Sequence, residues 1–120
     1  MDIAKSLQSV YTFVYNMFME SIQVSGLQWD KNNRAKCQQH GVSIEAIESL
    51  FQNPVAILPD EIHSQEEQRF RAIGKAEDGR SVFVVFTLRK HGEDTFIRPI
   101  SARYMHKKEV TAYEEENPGL

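Results

Sequence analysis

Four arginines punctuate residues 79–103 of this chain: Arg80, Arg89, Arg98 and Arg103. Arginine is costly inside a core unless paired, so these side chains are solvated, bridged to carboxylates, or turned toward a ligand. Histidines, lysines and glutamates lie near them in sequence. That set suits metal-free cleavage of RNA. A base deprotonates a ribose 2′-hydroxyl, cations stabilise the crowded phosphorane, and an acid protonates the departing 5′-oxygen. Arginine fits the middle role because its planar fork matches phosphate oxygens. Arginine–carboxylate bridges would leave the same residue list, and residue types alone keep both readings open. Other chemistries find less support. His40, His63, His91 and His106 are too scattered for a spaced metal motif. The single cysteine, Cys37, excludes an intrachain disulfide framework and a cysteine-based zinc site, and fits a reducing compartment. There is no nucleophile elbow, no Ser–His–Asp ordering and no Gly-rich phosphate loop.

The element that must position the arginines has a plain signature. Two apolar runs, 81–89 and 95–103, flank a polar turn at 90–94. Val82, Val84, Phe86 and Leu88 share one parity, and Ser81, Phe83, Val85, Thr87 and Arg89 the other. Period two in β-branched and aromatic residues around a Gly-containing loop predicts a β-hairpin. Both faces of the first run are largely apolar, which places it at the centre of a sheet. A strand over 68–73, with Arg69, Arg71 and Ile73 on one parity, joins through the turn 77–80 to make a three-stranded antiparallel meander.

Upstream, 22–29 alternates like a short strand, with Gly26 as a bulge or close approach. Asp30 caps a polar helix over 31–39, which Gly41 ends. Ser43 starts a second helix with Ile44, Ile47, Leu50 and Phe51 as its apolar stripe, and Asn53-Pro54 ends it. The pair resembles a helix–turn–helix in spacing, but Glu45 and Glu48 make the second helix a poor match for phosphates. A short apolar run, 55–58, and a polar loop, 60–67, follow. Residues 104–116 return to helix, and 117–120 read as a frayed tail.

At the N-terminus, Ile3, Leu7, Val10, Val14, Met17, Phe18 and Ile22 recur at helical steps, predicting an amphipathic helix for packing or dimerisation. Polar residues interrupt it, so it is too broken for a membrane span of roughly 20 residues, and Asp2 does not suit a signal peptide. A length of 120 residues suits one domain with a proper core. The net charge of −3 does not by itself suggest nucleic acid. Its distribution is more informative: residues 65–110 carry 10 Lys/Arg against 7 Asp/Glu, while the flanks are acidic. A basic surface meeting phosphates and a solvated face are both compatible with that.

An ordered series of residues then carries a resemblance. It runs Trp29-Asp30, His40-Gly41-Val42-Ser43-Ile44-Glu45, Asn53-Pro54, Asp60, His63-Ser64, Glu67-Gln68-Arg69-Phe70, Ile73-Gly74 and Gly79-Arg80. It continues with Val84-Val85-Phe86-Thr87-Leu88-Arg89, Arg98-Pro99-Ile100-Ser101-Ala102-Arg103, Glu109 and Tyr113. Residues 22–116 so read resemble the BrnT family of bacterial type II toxins. The resemblance implies an α+β fold of RelE-like type, an antiparallel sheet with helices packed on it, here with residues 1–21 as an added helix. It implies a cytoplasmic, metal-independent ribonuclease without cofactor that inhibits translation and is neutralised by a BrnA-like ribbon–helix–helix antitoxin. DNA would be met only through that antitoxin.

On this resemblance the expected catalytic residues are Arg69, Arg80, Arg89 and Arg103 facing phosphate, with His63 or Glu67 as acid–base partner and His40 as a second candidate. Lys31, Arg34, Lys36, Arg71 and Arg98 are the expected further RNA contacts. Glu109 and Tyr113 are expected to order an arginine rather than touch RNA. Three features depart from the family pattern. Gln39 stands where a lysine usually precedes His-Gly, with Lys36 in place of an asparagine. Pro99 replaces an aliphatic residue, which predicts a strand edge or bulge there. The N-terminal helix is either an added dimerisation element or the product of an upstream start. The lost lysine keeps a second reading in view: a silenced member that acts only by binding its antitoxin.

Overall fold

Alternation decides the centre of the fold. The computed structural model describes residues 24–53, 55–60 and 66–116; the expected N-terminal helix, the tail 117–120 and His63 lie outside these. The apolar run after Arg80 forms β4 (Ser81–His91), the middle strand of a five-stranded sheet. Its neighbours are β3 (Phe70–Lys75) and β5 (Asp94–Tyr104), both antiparallel to it. The hairpin strands run further than expected, leaving Gly92-Glu93 as the turn, with Gly92 at φ +62°. Beyond β3 lies β2 (Ala56–Pro59), antiparallel again, formed by the apolar run before Asp60. Its proline sits at the last position of an outer strand, where a missing N–H is tolerated.

The expected purely antiparallel sheet is corrected at the other edge. The short strand β1 (Val24–Leu27) pairs with β5 in parallel, making the sheet mixed, with a register irregularity at Ser25 beside Gly26. Alternation encodes which face a strand buries, not the direction of its partner, so nothing in residues 22–29 could specify this pairing.

Helices α1 (Lys31–Cys37) and α2 (Ile44–Leu50) cover one face. Asp30 caps α1 reciprocally with Asn33: the Asp30 carboxylate accepts from Asn33 N at 3.0 Å, and Asn33 Oδ1 accepts from Asp30 N at 2.7 Å. The helix stops at Cys37, with Gln38 as its C-cap and Gly41 at φ +86° turning the chain. Ser43 caps α2 by accepting from Ala46 N at 3.0 Å. Each helix has seven residues, too few to persist alone. Burial holds them: Cys37, Val42, Ile47 and Leu50 pack with Ala72, Val82, Val84, Phe86 and Ala102. Phe86 sits between Phe51, edge-on at 5.4 Å, and Phe70, stacked at 5.4 Å. Burial pushes the Cys37 thiol up to about 11, so it is no nucleophile at neutral pH.

Helix α3 (Lys107–Glu116) follows β5, and its Glu109 bonds Arg103, which stands opposite Phe83 on the other face of the sheet. Its Tyr113 lines a cavity of about 260 Å³ with Ala56, Ile73 and Ser81, all on the parity that points away from the core. No arginine among the described residues lines this cavity. No helix among the described residues is long and apolar enough to cross a membrane.

Candidate active site

The face of the sheet away from α1 and α2 gathers the arginines, and two local devices bring them there. The first is strand parity. Arg89 on β4 and Arg71 on β3 share the open face with Phe83, Val85 and Thr87. The second is a bulge. Val85 pairs with Ser101, but the next residue, Phe86, pairs with Pro99, leaving Ile100 as an extra residue in β5. A bulge shifts parity by one. Arg98 and Arg103, an odd number of residues apart, therefore both point to the open face, opposite Thr87 and Phe83. Pro99 lands at the bulge, as its missing N–H predicts, and is buried. β1 reaches only as far as Ile97, and the outer side of β5 is met next by α1. There Asn33 Nδ2 donates to the Gln28 and Pro99 carbonyls, each at 2.9 Å.

A cleft of about 240 Å³ results, lined by Asn32, Asn33, Lys36, Glu67, Arg69, Arg89, Arg98 and Ile100. Among the described residues its lining carries one carboxylate and four cations. Glu67 comes from the segment before β3 and accepts from both terminal guanidinium nitrogens of Arg89, Nη1 closely and Nη2 at 3.4 Å. Thr87, buried beneath, donates its hydroxyl to the Gln68 carbonyl at 2.8 Å and so holds that segment to β4. Arg98 bridges to Asp30 at 2.8 Å and donates to Gln28 Oε1 at 3.3 Å. The Glu67 carboxyl is held below the usual glutamate range by the hydrogen-bonded Arg89, against a smaller penalty from burial, with Arg69 and Arg98 adding to the field. Asp30 is likewise lowered, first by the Asn33 N–H and then by Arg98.

The expected site residues fare differently. Glu67, Arg69, Arg89, Arg98 and Lys36 are brought together. The Glu67 carboxylate reaches across to Arg89 on β4. Arg71 stands one two-residue step further down the same face, opposite Val85. Arg103 is committed to Glu109 through two hydrogen bonds of 2.7 and 2.9 Å and lies 4.8 Å over the Phe83 ring. Glu109 thus orders an arginine, as expected. Arg80 is not brought to the cleft: its guanidinium stacks 3.5 Å over Tyr104, beside the turn after β3. His40 is exposed in the turn after α1, and neither it nor Lys31 or Arg34 lines the cleft. His63 lies outside the described residues. Reading by residue type missed Asn33 and Thr87, which build the cleft from beneath. Of these only Asn33 left a trace, the Asp-x-x-Asn spacing of a capping box.

The Arg103–Glu109 pair also tethers α3. Glu109 accepts from the His106 N–H at 2.9 Å as well as from Arg103, and these bonds hold its carboxyl at about 2. An unfolded glutamate titrates near about 4.3. The tether therefore stabilises fully above that value and is lost as pH falls toward about 2. Acid titration followed by amide exchange is expected to show α3 loosening in that window. Protection of α3 unchanged down to pH 2 would contradict the assignment.

A family model described as ribonuclease toxin, BrnT, of type II toxin–antitoxin system matches residues 29–109. The comparison with curated proteins gives no match.

Proposed function

Since the chain belongs to the family of BrnT ribonuclease toxins of type II toxin–antitoxin systems, we propose that the cleft lined by Glu67, Arg69, Arg89, Arg98 and Lys36 cleaves RNA without a metal ion. The carrying observation is an ionised carboxylate set among four cations at one cleft, counted over the described residues. As a type II toxin the protein has a protein antitoxin as partner. We take that partner to be BrnA-like, with a ribbon–helix–helix segment through which the complex meets DNA. We take the fold to be RelE-like and the outcome of RNA cleavage to be arrest of translation in the cytoplasm.

The chemistry follows from the charges. Glu67 is ionised at neutral pH, so in the resting state it accepts a proton and cannot donate one. RNA entering the cleft exchanges its phosphate for the carboxylate on the Arg89 fork. A pair as exposed as Arg89–Glu67 contributes on the order of 1 kcal/mol or less, so the exchange is cheap. Glu67 then removes the 2′-hydroxyl proton. The 2′-oxygen bonds to phosphorus, the bond from phosphorus to the 5′-oxygen breaks, and a 2′,3′-cyclic phosphate remains. Arg69, Arg89, Arg98 and Lys36 carry the charge of the phosphorane. The departing 5′-oxygen takes either the proton now on Glu67 or one from His63, four residues earlier in the sequence.

The silenced reading rests on Gln39, exposed where the family has a lysine. Lys36 in the cleft lining supplies a cation from the helix that precedes Gln39 and favours the active reading. The test is incubation of RNA with antitoxin-free protein in excess chelator. Cleavage is expected; intact RNA would shift the account to the silenced reading.

A further inference from the structure

The arginines continue beyond the cleft, and their spacing is regular. The open-face residues of β4, Arg89, Thr87, Val85 and Phe83, mark successive levels down the sheet. Arg89 supplies a cation at the first level. Arg98 pairs opposite Thr87 at the second, where Arg69 also falls, one residue before the Phe70↔Phe86 pair. Arg71 pairs opposite Val85 at the third, and Arg103 opposite Phe83 at the fourth. Each level is two residues, about 6.8 Å, from the next. Such a step is commensurate with successive phosphates of an extended single strand. Val85 and Thr87 are buried although they point away from the core, which fits coverage by the aliphatic stems of the arginines on either side.

We infer that this face is a track for one extended strand of RNA running along β4, with Arg71 and Arg103 gripping the backbone beyond the cleft. The inference rests on the RNA-cleaving reading of the cleft. Arg71 differs from the other arginines of this face. Arg89, Arg98 and Arg103 each hold a carboxylate. Among the described residues Arg71 makes no ion pair, and its Nε, like that of Arg69, is buried without a hydrogen-bond partner there. A guanidinium so placed, midway between two others, lacks an anion that a phosphate would supply.

The test measures binding of 2′-O-methyl oligonucleotides, which lack the attacking hydroxyl, from two to eight residues long and over a range of salt. The salt slope is expected to grow by about 0.7 per phosphate and to level off once the strand spans the four levels. Arg71→Gln is expected to lower the slope of the longer strands by about one phosphate, roughly 0.7, and Arg71→Lys to restore it. If Gln at this position lowers the melting temperature, the wild-type length series decides alone. A slope that levels off at the shortest strand, a wild-type slope in Arg71→Gln, or equal loss in Arg71→Lys would overturn the track. So would tighter binding of an oligoglutamate peptide of equal charge, which would assign the face to an acidic protein. Length-dependent binding by a protein that leaves unmodified RNA intact would keep the track and remove the ribonuclease. Cleavage with no length dependence would do the reverse.

Discussion

Glu67→Gln is expected to lower RNA cleavage by roughly 10²–10⁴-fold while the protein stays folded. The substitution keeps the shape of the side chain and removes only its capacity to accept a proton at neutral pH. Its structural cost is small, because Glu67 and Arg89 are both about one-third exposed, at 34% and 38%, and water can solvate the arginine left behind. Single-turnover cleavage and thermal melting, measured side by side, separate the two effects. A Glu67 that serves only to brace Arg89 would give the opposite result, a lowered melting temperature with cleavage retained. The pH profile of the unaltered protein carries the same information. Arg89 holds the Glu67 carboxyl below its ordinary range, so the proposed base stays ionised at every pH above the ordinary glutamate value of about 4.3. The acid limb of the cleavage profile is expected below that value. A limb near 6.5 would assign the base to a histidine instead.

Deletion of Ile100 is expected to unfold the protein. The residue has no partner on β4, so its removal restores simple alternation along β5. One flank of the strand must then turn over. If residues 94–99 turn, Arg98 enters the core and Ile97 and Pro99, both buried now, go to solvent. If residues 101–104 turn, Arg103 enters and Ala102 leaves. Either way an arginine is buried away from its carboxylate, at an effective cost of several kcal/mol. That is a large share of the 5–15 kcal/mol stability typical of a domain. Expression in the soluble fraction and far-UV circular dichroism check it. Deleting the neighbouring turn residue Glu93, which is exposed, is the control for loss of one residue from the hairpin. A folded Ile100 deletion with wild-type melting would show that the bulge does not set the face of Arg98.

The two predictions also mark how far the sequence could be read. The centre of the sheet was legible, because period two over residues 81–89 declares both faces of β4. So were the caps, since Asp30, Ser43 and Gly41 act through neighbours in the chain. What was not legible depends on residues that meet only through the fold. Strict alternation puts Arg98 and Arg103 on opposite faces; the bulge at Ile100 overrides it, and Pro99 hinted at a bulge without showing which residues it would turn. Glu67 and Arg89 lie 22 residues apart and meet because the segment before β3 is held against β4 by Thr87. The parallel partner of β1 had no local signal at all. Arg80 satisfied the family pattern and the residue type, yet its position before Ser81 aims it at Tyr104 instead of the cleft.

The most direct test of the central claim uses a DNA strand carrying one ribonucleotide, incubated with antitoxin-free protein in excess chelator, with products analysed by mass. Attack by a 2′-oxygen predicts a single cut, 3′ to the ribonucleotide, with a 2′,3′-cyclic phosphate on one product and a 5′-hydroxyl on the other. Cuts at deoxyribonucleotides, or a 5′-phosphate product, would contradict the account.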